Sequence, residues 1–148
     1  MAKVVTISFV DNSDKVLQVA DEKVNAWLKA IGSDAAQTAA KKAPVDTGRL
    51  KNSINWATKN EHGSGDLPQA TPEDKSVYIG TNVNYAIYHE YGTGLYGGIT
   101  GRKTPWYFKG RDGKWHKTVG VPAKHYFQFG MTAHAMEYKS LLEQALKQ

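Results

Sequence analysis

Between residues 14 and 42 the apolar side chains Val16, Ala20, Val24, Trp27, Ile31 and Ala35 recur at spacings of four, four, three, four and four. Side chains so spaced share one face of an α-helix, so this stretch is predicted to be a single long amphipathic helix that the rest of the chain must pack along. Asp11, Asn12 and Ser13 offer side-chain oxygens for its N-cap. Pro44 ends it, because the residue before a proline is pushed out of the helical region. Gly32 lies inside the helix and is able to bend it.

The other long periodic stretch is 131 to 147, where Met131, Ala135, Tyr138, Leu142 and Ala145 are spaced four, three, four and three apart. A C-terminal amphipathic helix is expected there. Strand patterns fill the remainder. In residues 3 to 10, Val5, Ile7 and Phe9 alternate with Val4, Thr6 and Ser8. Residues 50 to 60 read as a short turn leading into a strand through Ile54 and Trp56, and 76 to 81 as a strand with Val77 and Ile79 on one face. Residues 84 to 91 form an aromatic-rich turn or short helix. Residues 106 to 109 and 114 to 119 look like the arms of a β-hairpin around Gly110, Arg111, Asp112 and Gly113. Two connections rich in glycine and polar residues, 60 to 75 and 92 to 105, are expected to be mobile surface loops. The predicted fold class is α+β: a mostly antiparallel sheet with the long N-terminal helix and the C-terminal helix packed on one face.

Composition sets limits on function. At 148 residues, 41% hydrophobic and 22% charged, the chain suits one globular domain with a real core, and neither a disordered nor a fibrous protein. Cysteine is absent, which removes disulfides, thiolate metal ligands and a thiol nucleophile. No apolar run is long enough to span a bilayer and the N-terminus lacks a secretory pattern, so a soluble intracellular product with no membrane partner is expected. The net charge of +5 is concentrated: residues 102 to 124 carry Arg102, Lys103, Lys109, Arg111, Lys114, Lys117 and Lys124 against Asp112 alone. The basic character belongs to one region.

Candidate chemistry is thin. The glycine-rich run from Gly92 to Thr104 lacks phosphate-loop grammar, since Arg102 separates Gly101 from Lys103 and no helix is signalled after Thr104. His89-Glu90 has no second histidine at helical spacing, so no zinc-protease motif exists, and His62, His89, His116, His125 and His134 are scattered. No catalytic residue, metal ligand or cofactor is assigned. The basic hairpin, with Trp106, Tyr107, Phe108 and Trp115, suits contact with nucleic acid, because cations meet phosphates while aromatic faces stack on bases. A plain amphipathic hairpin, with alternate aromatics in the core and lysines in solvent, gives the same pattern and is the favoured reading.

Two segments go beyond generic patterning: Lys42-Ala43-Pro44-Val45-Asp46-Thr47-Gly48-Arg49-Leu50-Lys51-Asn52-Ser53-Ile54 and Val77-Tyr78-Ile79-Gly80-Thr81-Asn82-Val83-Asn84-Tyr85-Ala86-Ile87-Tyr88-His89-Glu90-Tyr91-Gly92-Thr93. Together, in this order, they resemble the gene-product-ten-like family of siphophage tail-completion and head-tail joining proteins. The resemblance continues through Trp106, the hairpin and Pro122-Ala123-Lys124-His125-Tyr126-Phe127. One departure stands out: the family commonly has an aromatic-proline pair before the last helix, and His125 occupies the place of that proline.

The resemblance implies a structural subunit, not an enzyme, found in the virion at the tail or neck and in the host cytoplasm during assembly. It implies a homo-oligomeric ring, a hexamer by resemblance, seated between the head connector and the tail tube or tail terminator proteins. Asp46 and Thr47 are expected to cap the turn after Pro44, Gly48 to permit a tight backbone, and Arg49 to pair with Glu90 where the two motifs meet. Tyr85, Tyr88 and Tyr91, spaced by three and followed by Gly92, are expected to be core or interface aromatics. Arg102, Lys103, Lys109, Arg111, Lys114 and Lys117 are candidates for contact with channel DNA or an acidic neighbour. The competing class is a small basic nucleic-acid-binding protein. A hydrolase using His89 with Glu90 is a third.

Overall fold

The computed structural model describes residues 11–64 and 72–147. Helix α1 spans Ser13–Lys42 without interruption and ends where Ala43, before Pro44, turns extended with φ −61° and ψ 141°. Thirty residues make a rod about 45 Å long, more than the roughly 38 Å diameter of a compact chain of this size. One end must therefore project, and residues 11 to 19 are all exposed. At that end Asp11 Oδ1, rather than the Asn12 side chain, accepts from the Ser13 amide at 2.9 Å.

The buried residues of α1 are Leu28, Gly32, Ala35, Ala36 and Ala39, a stripe weighted to its C-terminal half. Gly32 serves contact: a Cβ there would stand 3.3 Å from Trp56 Cβ and would overlap the Val77 side chain. Trp56 lies on β1, Asn55–Thr58, which follows the short helix α2, Arg49–Ser53, and Val77 on β2, Val77–Gly80. The two strands pair antiparallel, Asn55 opposite Gly80 and Thr58 opposite Val77.

Helix α3, Ala86–Tyr91, closes the second family motif. The hairpin follows as β3, Trp106–Lys109, and β4, Trp115–Thr118, with Trp106 opposite Thr118 and Lys109 opposite Trp115. The C-terminal stretch forms two helices, α4, Tyr126–Thr132, and α5, Ala135–Lys147, where the spacing alone predicts one. Each is anchored separately. Gly130 of α4 lies so close to α1 that a Cβ would stand 2.7 Å from both the Ala35 carbonyl oxygen and Ala39 Cβ. On α5 the Tyr138 hydroxyl donates to Asp34 Oδ2 at 2.5 Å, just after the break, where His134 Nδ1 meets the same oxygen at 2.7 Å. Trp27 Nε1 donates to the Tyr138 carbonyl, so α5 runs back along α1.

The architecture is α+β, but the expected dominant sheet is absent among the described residues. Two separate two-stranded ribbons replace it, and helices carry the core. Each strand is four residues long, too short and too isolated to make a layer, so α1 is the element the others pack on. The strand expected over residues 3 to 10 lies outside the described residues. The main core cluster comprises Ala43, Leu50, Val83, Ala86 and the fully buried Tyr126, flanked by Ile54, Tyr85 and Phe127. Both family motifs and the start of α4 meet there. The Tyr126 hydroxyl donates to the Ala86 carbonyl at 2.8 Å, and burial, aided by Glu90, pushes its ionisation far above the ordinary phenol range.

Candidate assembly surface

The first motif is a turn between two helices. Gly48 takes φ +81°, the left-handed region that glycine enters without a side-chain clash, and its carbonyl accepts the Asn52 amide at 2.9 Å. Thr47 Oγ1 accepts the Arg49 amide at 3.4 Å within the turn. Asp46 faces solvent and pairs at 3.5 Å with Arg111 from the hairpin tip, both side chains more than four-fifths exposed. Such a pair contributes little to stability, but it places the tip over the turn. A cleft of about 300 Å³ lies between residues 44 to 50, Tyr85, His89 and Arg111.

The two motifs meet through packing and hydrogen bonding rather than through Arg49 and Glu90. Ser53 and Thr81 share a hydroxyl hydrogen bond at 2.5 Å, while Leu50 and Ile54 pack with Val83, Tyr85 and Ala86. Arg49 is exposed and forms no ion pair with any described residue. Glu90 is 5% exposed, and its two carboxylate oxygens accept the Phe127 amide at 2.9 Å and the Gln128 amide at 3.1 Å. It caps α4 from another element. Amides at a helix start carry partial positive charge and lack intrahelical acceptors, so a carboxylate 37 residues away in sequence does the work of a local cap. Both oxygens are thus engaged with α4 amides. The His89 Nδ1 atom is buried with no hydrogen-bond partner among the described residues, and its ring meets Tyr85 edge-on.

From His89 to Leu95 the backbone of the second motif and the connection after it is zipped to the segment that follows the hairpin. His89 O accepts from Lys124 N, Thr93 N donates to Val121 O, and Leu95 N donates to Val119 O. The two strands of this zipper approach too closely for side chains. At Gly92, φ +79°, a Cβ would stand 3.0 Å from the Ala123 amide nitrogen and 3.1 Å from the Val121 carbonyl oxygen, and at Gly94 it would overlap the Val119 carbonyl. His125 enters α4 with φ +48°, an angle a proline ring forbids, which accounts for the departure from the aromatic-proline pair.

Tyr85 is half-buried against the core, whereas Tyr88 and Tyr91 are exposed, as are Leu95, Tyr96 and Ile99 on the following connection. That connection contains two 3-10 turns, Gly94–Tyr96 and Gly98–Thr100. Arg102 stacks its guanidinium over Trp106 at 5.3 Å, and Lys103 Nζ donates to the Gly98 carbonyl at 2.5 Å.

The hairpin does not feed the core. Tyr107 is 64% exposed and Trp115 71%, and neither strand packs extensively on another element. The plain amphipathic reading therefore gives way, because the ribbon has solvent on both faces. Paired residues share a face, so the register puts Tyr107, Lys117, Lys109 and Trp115 together on one side, with Phe108 stacked on His116 on the other. His116 holds Asp112 at 3.0 Å, which with the Lys114 amide keeps that carboxyl below the usual range. The Lys114 side chain is exposed. Sequence reasoning missed Glu90 as a cap and the Asp34 cluster, for neither leaves a local pattern.

Among the described residues no helix is long and apolar enough to cross a membrane, and no group of His, Asp or Glu is placed to hold a metal. No curated protein and no solved structure matches the chain. A family model does, over residues 8–92, the stretch holding α1, the first motif, the second motif up to Gly92 and the β1–β2 ribbon; its description is "Bacteriophage HK97-gp10, putative tail-component". The chain belongs to the HK97-gp10-like family of bacteriophage tail components.

Proposed function

We propose that the protein is a ring subunit that completes the tail end or neck and joins tail to head, without performing a reaction. The observation that carries this reading is the run of exposed apolar side chains on the second motif and the connection after it: Tyr88, Tyr91, Leu95, Tyr96 and Ile99, the last fully exposed. These are hydrophobic groups on a backbone zipped to residues 119 to 125, the arrangement expected of a surface built to be covered. A ring repeats one heterologous contact about an axis, so a modest patch on each subunit becomes a large docking surface for a head connector on one side and a tail tube or terminator on the other. The 92 to 105 connection acts as a contact arm in this reading. Electron microscopy of particles made without the protein tests it: separate filled heads and finished tails are expected, and fully joined infectious virions would overturn it.

A second reading rests on the hairpin face. Two lysines and two aromatics, all exposed and on one side, form a surface on which phosphates and bases could both be held. Inside a ring that face would line the DNA channel; outside one, the protein would be a small nucleic-acid-binding protein. Gel shifts with single- and double-stranded DNA at rising salt distinguish these cases from an acidic protein neighbour. Binding that weakens steeply with salt and disappears in Lys109→Ala/Lys117→Ala supports DNA contact. Absence of binding at low salt leaves the acidic neighbour.

A further inference from the structure

The cleft beside the first motif gathers cations from three segments that lie far apart in sequence. Arg49 comes from the first motif, His89 from the second and Arg111 from the hairpin tip. The one acid among the lining residues is Asp46, which meets Arg111 at 3.5 Å. Arg49 is exposed and has no ion-pair partner among the described residues. The cleft therefore carries one guanidinium more than its own acid balances. His89 adds a polar group to the same wall. Its Nδ1 is buried with no partner among the described residues, and a buried N–H left unpaired is the costlier state, so the neutral ring carries its proton on Nε2. Pro44, Leu50 and Tyr85 complete the walls with apolar surface.

Guanidinium groups beside apolar walls suit a carboxylate side chain. The planar fork gives a carboxylate two parallel N–H···O bonds, and the apolar wall receives the methylene stem behind it. At about 300 Å³ the cleft stands at the small end of ligand clefts, with room for one or two side chains rather than a folded surface. We propose that this cleft is a docking site for an acidic segment of another protein, with a glutamate or aspartate carboxylate held by Arg49 and sharing Arg111 with Asp46. Asp46 also weighs against DNA as the occupant. A nucleic-acid backbone brings a phosphate at every nucleotide and is held by cations along its path, whereas here an acid already stands against one of the two arginines. The site is separate from the hairpin face, since neither Lys109 nor Lys117 lines it. A segment seated there would touch both motifs and the hairpin tip at once, and it requires no ring.

A capped tetraglutamate peptide, titrated into the isotope-labelled full-length chain and followed by NMR, tests the site. Saturable shifts are expected at the Gly48 and Arg49 amides and at the Arg49 Nε–H. Arg49→Gln and Arg111→Gln should each weaken binding roughly fivefold to tenfold, the loss of a charge-assisted contact. Both side chains are exposed, so the variants should keep the wild-type spectrum away from the cleft. Lys51→Gln removes an exposed cation outside the cleft and should change affinity by no more than about twofold. An equal loss in Lys51→Gln would reduce the effect to general charge attraction and overturn the site. So would the absence of saturable shifts, or the same shifts from a capped tetraglutamine peptide. Tighter binding at these signals by inorganic phosphate or a short oligodeoxynucleotide would give the cleft to phosphate instead and overturn the acidic protein segment. Because a single subunit is titrated, failure here leaves the ring reading untouched.

Discussion

Glu90 carries more of this structure than its place in the sequence suggests. Its carboxylate holds two amides at the start of α4, a few residues from the buried Tyr126. Glu90→Ala is expected to cost roughly 3 kcal/mol in urea unfolding, because two partly buried donors lose a charged acceptor at once. Arg49→Glu should change stability by no more than about 0.5 kcal/mol, as an exposed side chain with no described ion-pair partner. The swapped double variant should show no rescue, whereas recovery would restore the ion pair that the packing replaces. Asp34 gives a pH signature. The hydrogen bond from Tyr138, followed by His134, holds its carboxyl below the ordinary carboxylate value, against an opposing push from burial. A depressed folded value means stabilisation that is complete above the unfolded pKa, about 4, and is lost as pH falls through the folded one. In thermal melts the gap between wild type and Asp34→Asn should be steady from neutral pH down to about 5 and close in more acid solution. The effect should be modest, since the side chain is about half exposed.

Among the elements, the hairpin and α1 show how a pattern can be right about structure and wrong about burial. The turn chemistry of Gly110 to Gly113 is sufficient to place β3 and β4, because it acts locally. Whether Tyr107 and Trp115 face a core depends on what lies across from them, and among the described residues no element packs extensively on either strand. Tyr107→Ala and Trp115→Ala should therefore each shift unfolding by no more than about 1 kcal/mol, where a buried aromatic would cost roughly 3 to 5. A larger loss in either would return the hairpin to the core. In α1, the stripe from Val16 to Ala35 establishes the helix, yet Val16 is exposed while Leu28, Ala36 and Ala39 are buried. Small residues give weak periodic signals, and Ala39 is fully buried because Gly130 of a distant helix comes close enough to need it.

At the scale of the whole molecule, the projecting end of α1, the exposed hairpin and the apolar run from Tyr88 to Ile99 leave much of the surface available for partners. A variant combining Tyr91→Asp with Ile99→Asp should fold with a thermal midpoint close to wild type, since both side chains stand in solvent. Its self-association or its joining of heads to tails should fall roughly tenfold or more. Retention of both activities would show that this patch is not the docking surface.

Local chemistry wrote the helices, the hairpin and the two motif turns into the sequence, because helical spacing, a proline after Ala43 and glycines at positive φ act over a few residues. The same residues identified the family. The tertiary structure alone decided which faces are buried, that Glu90 caps a helix far along the chain instead of pairing with Arg49, that the C-terminal stretch breaks in two, and that the strands among the described residues form two small ribbons. Those outcomes depend on which distant backbone groups lack partners and on how closely α1 and α4 can approach, and such distances have no counterpart in the order of residues along the chain.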